Sequence, residues 1–142
     1  MDTSELMEMI EELVDEAGLL LVDMTVKNLG RSYFLRILVD RPGRVTISEC
    51  TELSRTVKDM IDEKLLLGDE NYRLEVGSPG IGRPLGTRTD WIRCVGRKLS
   101  VKLDDDTEMI DWLEDFREDV LFFREKGQVP AGRILQALEV LE

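Results

Sequence analysis

The side chains able to do covalent chemistry in this chain are few, because it contains no histidine. That removes the commonest general base, the usual partner of a nucleophilic Ser or Cys, and the commonest zinc ligand. Ser78, followed by Pro79, lacks the nucleophile-elbow pattern that would expose and activate a hydroxyl. Cys50 and Cys94 stand in unrelated local patterns without CxxC spacing, so they read as small buried thiols of a reducing compartment. The run Asp104-Asp105-Asp106 projects its carboxylates in different directions, unlike the alternating ligands and distal Glu of a calcium loop, and reads as a turn. A carboxylate pair or a lysine is the catalytic plan left, yet among 30 Asp and Glu such a pair carries no information. The expectation is a protein that acts by contact, with no catalytic residue, no metal and no cofactor.

Contact chemistry is where the basic residues matter. The net charge of -11 argues against broad affinity for nucleic acid, which needs many phosphate contacts from Lys and Arg. The average hides a reversal along the chain. Residues 1–72 carry 8 basic and 16 acidic groups, residues 73–102 carry 7 and 2, and residues 103–142 carry 4 and 12. The basic island holds Arg83, Arg88, Arg93, Arg97 and Lys98, the candidate contacts for ribonucleic acid or a partner; a merely solvated face is the plainer reading. For Arg83 a salt bridge pinning a linker competes with a phosphate contact. Trp91 and Trp112 could stack on bases, but their spacing suits a core better.

The elements that must position these residues follow from periodicity. Leu6, Ile10, Leu13, Val14 and Ala17 recur at helical spacing, with Asp2 as a cap and Gly18 as a stop. Residues 19–27 and 33–40 alternate as strands, joined by a turn at 28–32. Thr46 and Glu49 form a capping box that opens the longest helix, to about residue 67, and residues 72–76 alternate again as a third strand. The pattern predicts an α+β domain in which two helices cover one face of a three-stranded sheet. Beyond a Gly/Pro-rich linker, Thr89 could cap a short helical turn ended by Gly96. Strands at 98–103, 109–116, 120–124 and 137–141 then suggest a small all-β barrel of the SH3 or Sm type. The expected boundaries are 1–82, a linker at 83–88, and 89–142. No apolar run spans a membrane, and the opening Met1-Asp2-Thr3-Ser4-Glu5 has no signal-peptide character, so a cytoplasmic protein with no membrane partner is expected.

The densest segment, residues 72–85, packs two prolines and three glycines around a strand end. Pro79 and Pro84 fix their own backbone angle and restrict Ser78 and Arg83, while Gly80 and Gly82 open conformations closed to other residues. Ser78, Pro79, Gly80, Pro84 and Leu85 are therefore read as an interdomain hinge. Here the sequence resembles the ribosome maturation factor RimP family. The likeness rests on Ser78-Pro79-Gly80 after the strand, then Arg83-Pro84-Leu85, Asp90-Trp91 and Val95-Gly96-Arg97. Weaker agreement extends from about Ile10 to Leu141, including Leu38-Val39-Asp40-Arg41-Pro42, the capped helix from Thr46 and the closing Arg133-Ile134-Leu135-Gln136-Ala137. In the family pattern an acidic residue precedes Arg-Pro-Leu, where this chain has Gly82. A glycine is also usual in the second barrel strand, where residues 108–117 are acidic and bulky.

The resemblance implies an N-terminal α/β domain, a C-terminal Sm-like barrel and no catalytic activity. It implies a role in assembly of the small (30S) ribosomal subunit: binding the immature particle, touching ribosomal RNA locally, and assisting entry of a basic ribosomal protein near the decoding region. The rival reading is a free-standing RNA-binding regulator that uses the Sm-like barrel, and the acidic character of residues 103–142 speaks against it.

Overall fold

A computed structural model describes residues 3–64, 66–68 and 71–141. Asp2, expected to cap the first helix, lies outside that range. The chain divides into two compact units, one of residues Met1–Asp40 and Val45–Pro79, the other of Arg41–Arg44 and Gly80–Glu142.

In the first unit, α1 (Ser4–Glu16) buries Leu6, Ile10 and Val14 along one stripe. Gly18, at φ 74°, turns the chain out of the helix in a left-handed conformation that a side chain would strain. β1 (Leu20–Asn28) and β2 (Ser32–Asp40) pair antiparallel, and the Asn28 side chain accepts from the Gly30 amide at 2.9 Å to close the turn between them. α2 (Ile47–Lys64) then carries the chain across, so that β3 (Asn71–Gly77) pairs parallel to β2 and the sheet order is β1-β2-β3. The capping box forms as expected: the Thr46 amide donates to Glu49 Oε1 at 2.9 Å and the Glu49 amide to Thr46 Oγ1 at 3.1 Å. The helix stops at Lys64 rather than near residue 67; Leu67 is buried from a turn, not from another helical turn.

Leu35, Ile37 and Val39 of β2 are fully buried with the apolar stripes of both helices. Because side chains alternate across a strand, the opposite face of the sheet holds Phe34 and Arg36. The register extends that face into rows: Lys27, Phe34 and Arg73 lie side by side across the three strands, and Thr25, Arg36 and Glu75 form the next row.

The second unit starts with α3 (Arg88–Arg93) and continues through β4 (Lys98–Leu103), β5 (Glu108–Arg117), β6 (Val120–Phe123) and β7 (Gly127–Pro130). A 3-10 turn at Ala131–Arg133 leads into β8 (Ile134–Glu139). These form one antiparallel sheet in the order β7-β6-β5-β4-β8. Leu99, Leu113 and Leu121 are completely buried at its centre, with Trp91 and Cys94 from α3 and its end.

Three details differ from the sequence reading. The cap of α3 is Thr87, not Thr89: the Asp90 amide donates to Thr87 Oγ1 at 3.1 Å while the Asp90 side chain accepts from the Thr87 amide at 3.0 Å. β7 was unforeseen because Gly and Pro dominate its four residues; it survives as an edge strand, where the missing amide of Pro130 costs no ladder bond. The last strand begins at Ile134, three residues before the expected start.

Candidate partner and nucleic-acid surfaces

Of the five basic residues expected as contact candidates, the structure keeps three at or near solvent. Arg88 opens α3 and is exposed, its guanidinium 5.9 Å from the centre of the Phe116 ring. Arg83 and Lys98 are half-buried. Arg93 and Arg97 are not part of any rim, since they are only 2% and 6% exposed. The expectation of exposure is corrected by local geometry. α3 sets Arg93 three residues after Asp90, on the same face, and Arg93 Nε donates to Asp90 Oδ1 at 3.1 Å.

Asp90 is itself buried and also accepts the amides of Gly86 and Thr87 at 2.8 and 3.0 Å. Burial alone would raise its carboxyl pKa, but those two amides and the Arg93 guanidinium outweigh it and hold the group below the usual carboxylate range. Asp90 therefore stays ionised as an anchor for the start of α3. Arg97 is held by Glu139 of β8, with Nη1 3.7 Å from Oε2, and donates through Nη2 to the carbonyl of Arg41 at 3.0 Å. Glu139, also buried, accepts in addition from Arg44. These charges are paired internally, which is the condition for burying them at all.

Asp111 of β5 does the same work at a turn, accepting the amides of Glu125 and Lys126 at 2.9 and 2.8 Å. Of the Asp104 to Asp106 run, Asp104 and Asp105 both bind Arg133, and Asp106 has the positive φ of a turn residue. Trp91 is core, and Trp112 is half-buried beneath Arg124, 5.2 Å from its ring centre. Burial raises the thiol of Cys94 to about 11, and burial also raises that of Cys50, so neither is a nucleophile near neutral pH.

The hinge residues divide as well. The boundary between units falls after Pro79, but Leu85 sits in the second core and its amide donates to the Ala137 carbonyl of β8 at 2.9 Å. The segment read as a linker from 83 onward is thus anchored at Leu85, an apolar residue hydrogen-bonded to the edge strand β8. Gly80 and Gly82 adopt no positive φ, so the conformational licence expected of them is not used.

The units also redistribute the charge. The first holds 7 Lys and Arg against 17 Asp and Glu, and the second 12 against 13, so the net charge of -11 belongs almost wholly to the first. On α1 the acids Glu5, Glu8, Glu11, Glu12, Asp15 and Glu16 are exposed, and the helix has no basic residue.

An α+β unit with a three-stranded sheet followed by a unit built on one five-stranded antiparallel sheet defines the architectural class. A family model described as the RimP N-terminal domain matches residues 9–82, just over half of the sequence. The chain belongs to the RimP family of ribosome maturation factors. Among solved structures, the chain is similar to a MamB CTD magnetosome protein of Desulfamplus magnetovallimortis BW-1. The two are 16% identical with a TM-score of 0.40, over 54% of this chain and 98% of that one. At that level the likeness bears on neither fold nor function. Among the described residues no helix is long and apolar enough to cross a membrane.

Proposed function

We propose that this chain is a cytoplasmic, non-enzymatic assembly factor for the small (30S) ribosomal subunit that binds the immature particle and helps a basic ribosomal protein enter near the decoding region. The observation that carries the reading is the match of residues 9–82 to the RimP N-terminal domain. The charge division supports it physically. A unit with an excess of ten carboxylates, most of them on its helices, draws a highly basic protein to that side, whereas the nearly neutral second unit does not. Its five-stranded antiparallel sheet is compatible with an Sm-like barrel. Local ribosomal RNA contact on that unit falls to Arg83, Arg88 and Lys98; Arg93 and Arg97 serve the interior.

Co-sedimentation with small-subunit precursors, at low and moderate salt, tests the reading. The chain should travel with precursor particles in preference to mature subunits, and Arg88→Glu with Lys98→Glu should weaken the association and flatten its salt dependence without lowering the melting temperature. Failure to associate with precursors at either salt would sink the assembly reading. Unchanged association of the double variant would remove these two residues from it.

A further inference from the structure

We propose that the helix-free face of the first unit's sheet is a binding platform for single-stranded RNA, centred on Phe34 and edged by Lys27, Arg36 and Arg73. The strand register makes the site. Lys27, Phe34 and Arg73 occupy one row across β1, β2 and β3, and Arg36 stands two residues from Phe34 on the same face. Lys27, Arg36 and Arg73 are exposed, and Phe34, at the middle of the row, is half-buried although the core lies on the other side of its strand. The Arg36 guanidinium sits 5.5 Å from the centre of the Phe34 ring. A base laid on this surface meets an aromatic ring or a guanidinium plane, both of which stack on any base, with cations on the neighbouring strands to meet its phosphates.

Charge placement points to RNA and not to a basic protein here. The first unit is strongly acidic, yet three of its seven Lys and Arg lie on this face and a fourth, Arg31, in the adjoining turn, while the exposed carboxylates crowd the helices. The face itself carries Asp23 and Glu75. Glu75 holds both arginines, 3.2 Å from Arg36 Nη2 and 3.0 Å from Arg73 Nη2. Held that way, the two guanidiniums flank Phe34 from different strands, and Glu75 is a brake on their affinity for phosphate. An extended acidic unit would repel duplex RNA along most of its length, whereas a short single strand can follow the one basic row.

The proposal is independent of the assembly reading, because its test uses the free full-length chain and a labelled single-stranded RNA dodecamer of mixed sequence, followed by fluorescence anisotropy. Lys27→Gln with Arg73→Gln should weaken binding at least tenfold and lower the log-log salt slope by about 1.4, at roughly 0.7 per single-strand phosphate contact. Phe34→Leu, which keeps apolar volume but has no ring, should weaken binding on the order of tenfold while leaving the salt slope in place. Glu75→Gln should do the opposite and tighten binding, an effect no structural role for Glu75 would produce. Arg55→Gln with Lys64→Gln removes the same charge from the exposed side of α2 and serves as the control. Circular dichroism melts verify that each variant is folded. Four outcomes would overturn the platform: no binding by the wild-type chain at low salt, equal loss in the α2 control, equal binding of a duplex of the same length, or wild-type binding by folded Phe34→Leu. Binding of a basic peptide in competition with the RNA at this face would assign it to protein and overturn it too.

Discussion

At the scale of single residues, the second unit depends on charges placed where water does not reach. Glu139 is 6% exposed and is the carboxylate partner of both Arg97 and Arg44. Its removal takes the Glu139 carboxylate away from Arg97, a guanidinium only 6% exposed. We expect Glu139→Ala to destabilise the second unit by about 3–5 kcal/mol, read as a shift of denaturant midpoint at constant slope, and Glu139→Gln to cost distinctly less because it retains an acceptor. Equal stability of wild type and Glu139→Ala would mean that the buried guanidinium finds a substitute partner. Sequence alone separates such residues poorly. Thr46 and Glu49 were legible as a cap because capping depends on neighbours three positions apart, and the Thr87 and Asp90 pair carried a like signal with Asp in place of Glu. Arg93 and Arg97 were not legible, because a count of charge along the chain has no depth.

Among elements, the β5–β6 hairpin shows where local chemistry is less than ideal. Its two-residue turn is Glu118-Asp119, both left-handed at φ 52° and 60°, a conformation for which Asn-Gly is preferred. Glu118→Asn with Asp119→Gly should therefore stabilise the second unit by about 1 kcal/mol, raising its melting temperature by roughly 4–8 °C. No gain would show that the native side chains recover the backbone cost through contacts of their own. The long, strongly periodic elements were readable from sequence: α1, β1, β2, α2 and the middle strands of the second unit. β7 was not, since Gly127-Gln128-Val129-Pro130 has neither alternation nor propensity and exists only because β6 offers it an edge. The basic row on the first sheet was hidden for a related reason. Lys27 and Arg36 fall in residues 1–72, whose sum is acidic, while Arg73 opens the basic island, and only the register of three strands brings the three together.

For the whole molecule, the chain passes between units at both ends of Arg41–Arg44 and for the last time after Pro79, with Leu85 seated in the second core. Ser78, Pro79, Gly80 and Pro84 are the proposed hinge, and its stiffness would come from the prolines, given that Gly80 and Gly82 take ordinary backbone angles. Pro79→Gly with Pro84→Gly should widen the distribution of distances seen by small-angle scattering and weaken binding to precursor particles by on the order of tenfold, each unit keeping its own melting transition. Identical scattering and identical affinity would reduce both prolines to strand and turn terminators. The two-unit plan was visible in the switch from helix-bearing to strand-only periodicity, whereas the assignment of Arg41–Arg44 to the second unit had no sequence signal.

The cysteines give the molecule a property of a different kind. There are two, Cys50 in the first unit and Cys94 in the second, 8% and 0% exposed, and both stay protonated at neutral pH. A thiol reagent can reach Cys94 only when the second unit opens, whereas Cys50 lines a surface hollow with Val45, Thr46 and Ser54 and is reached more directly. The unmodified protein is thus supplied with an internal clock in its second unit, and mass-resolved alkylation over time would read the breathing of that unit from Cys94, with Cys50 as the faster-reacting reference, on or off the ribosomal particle.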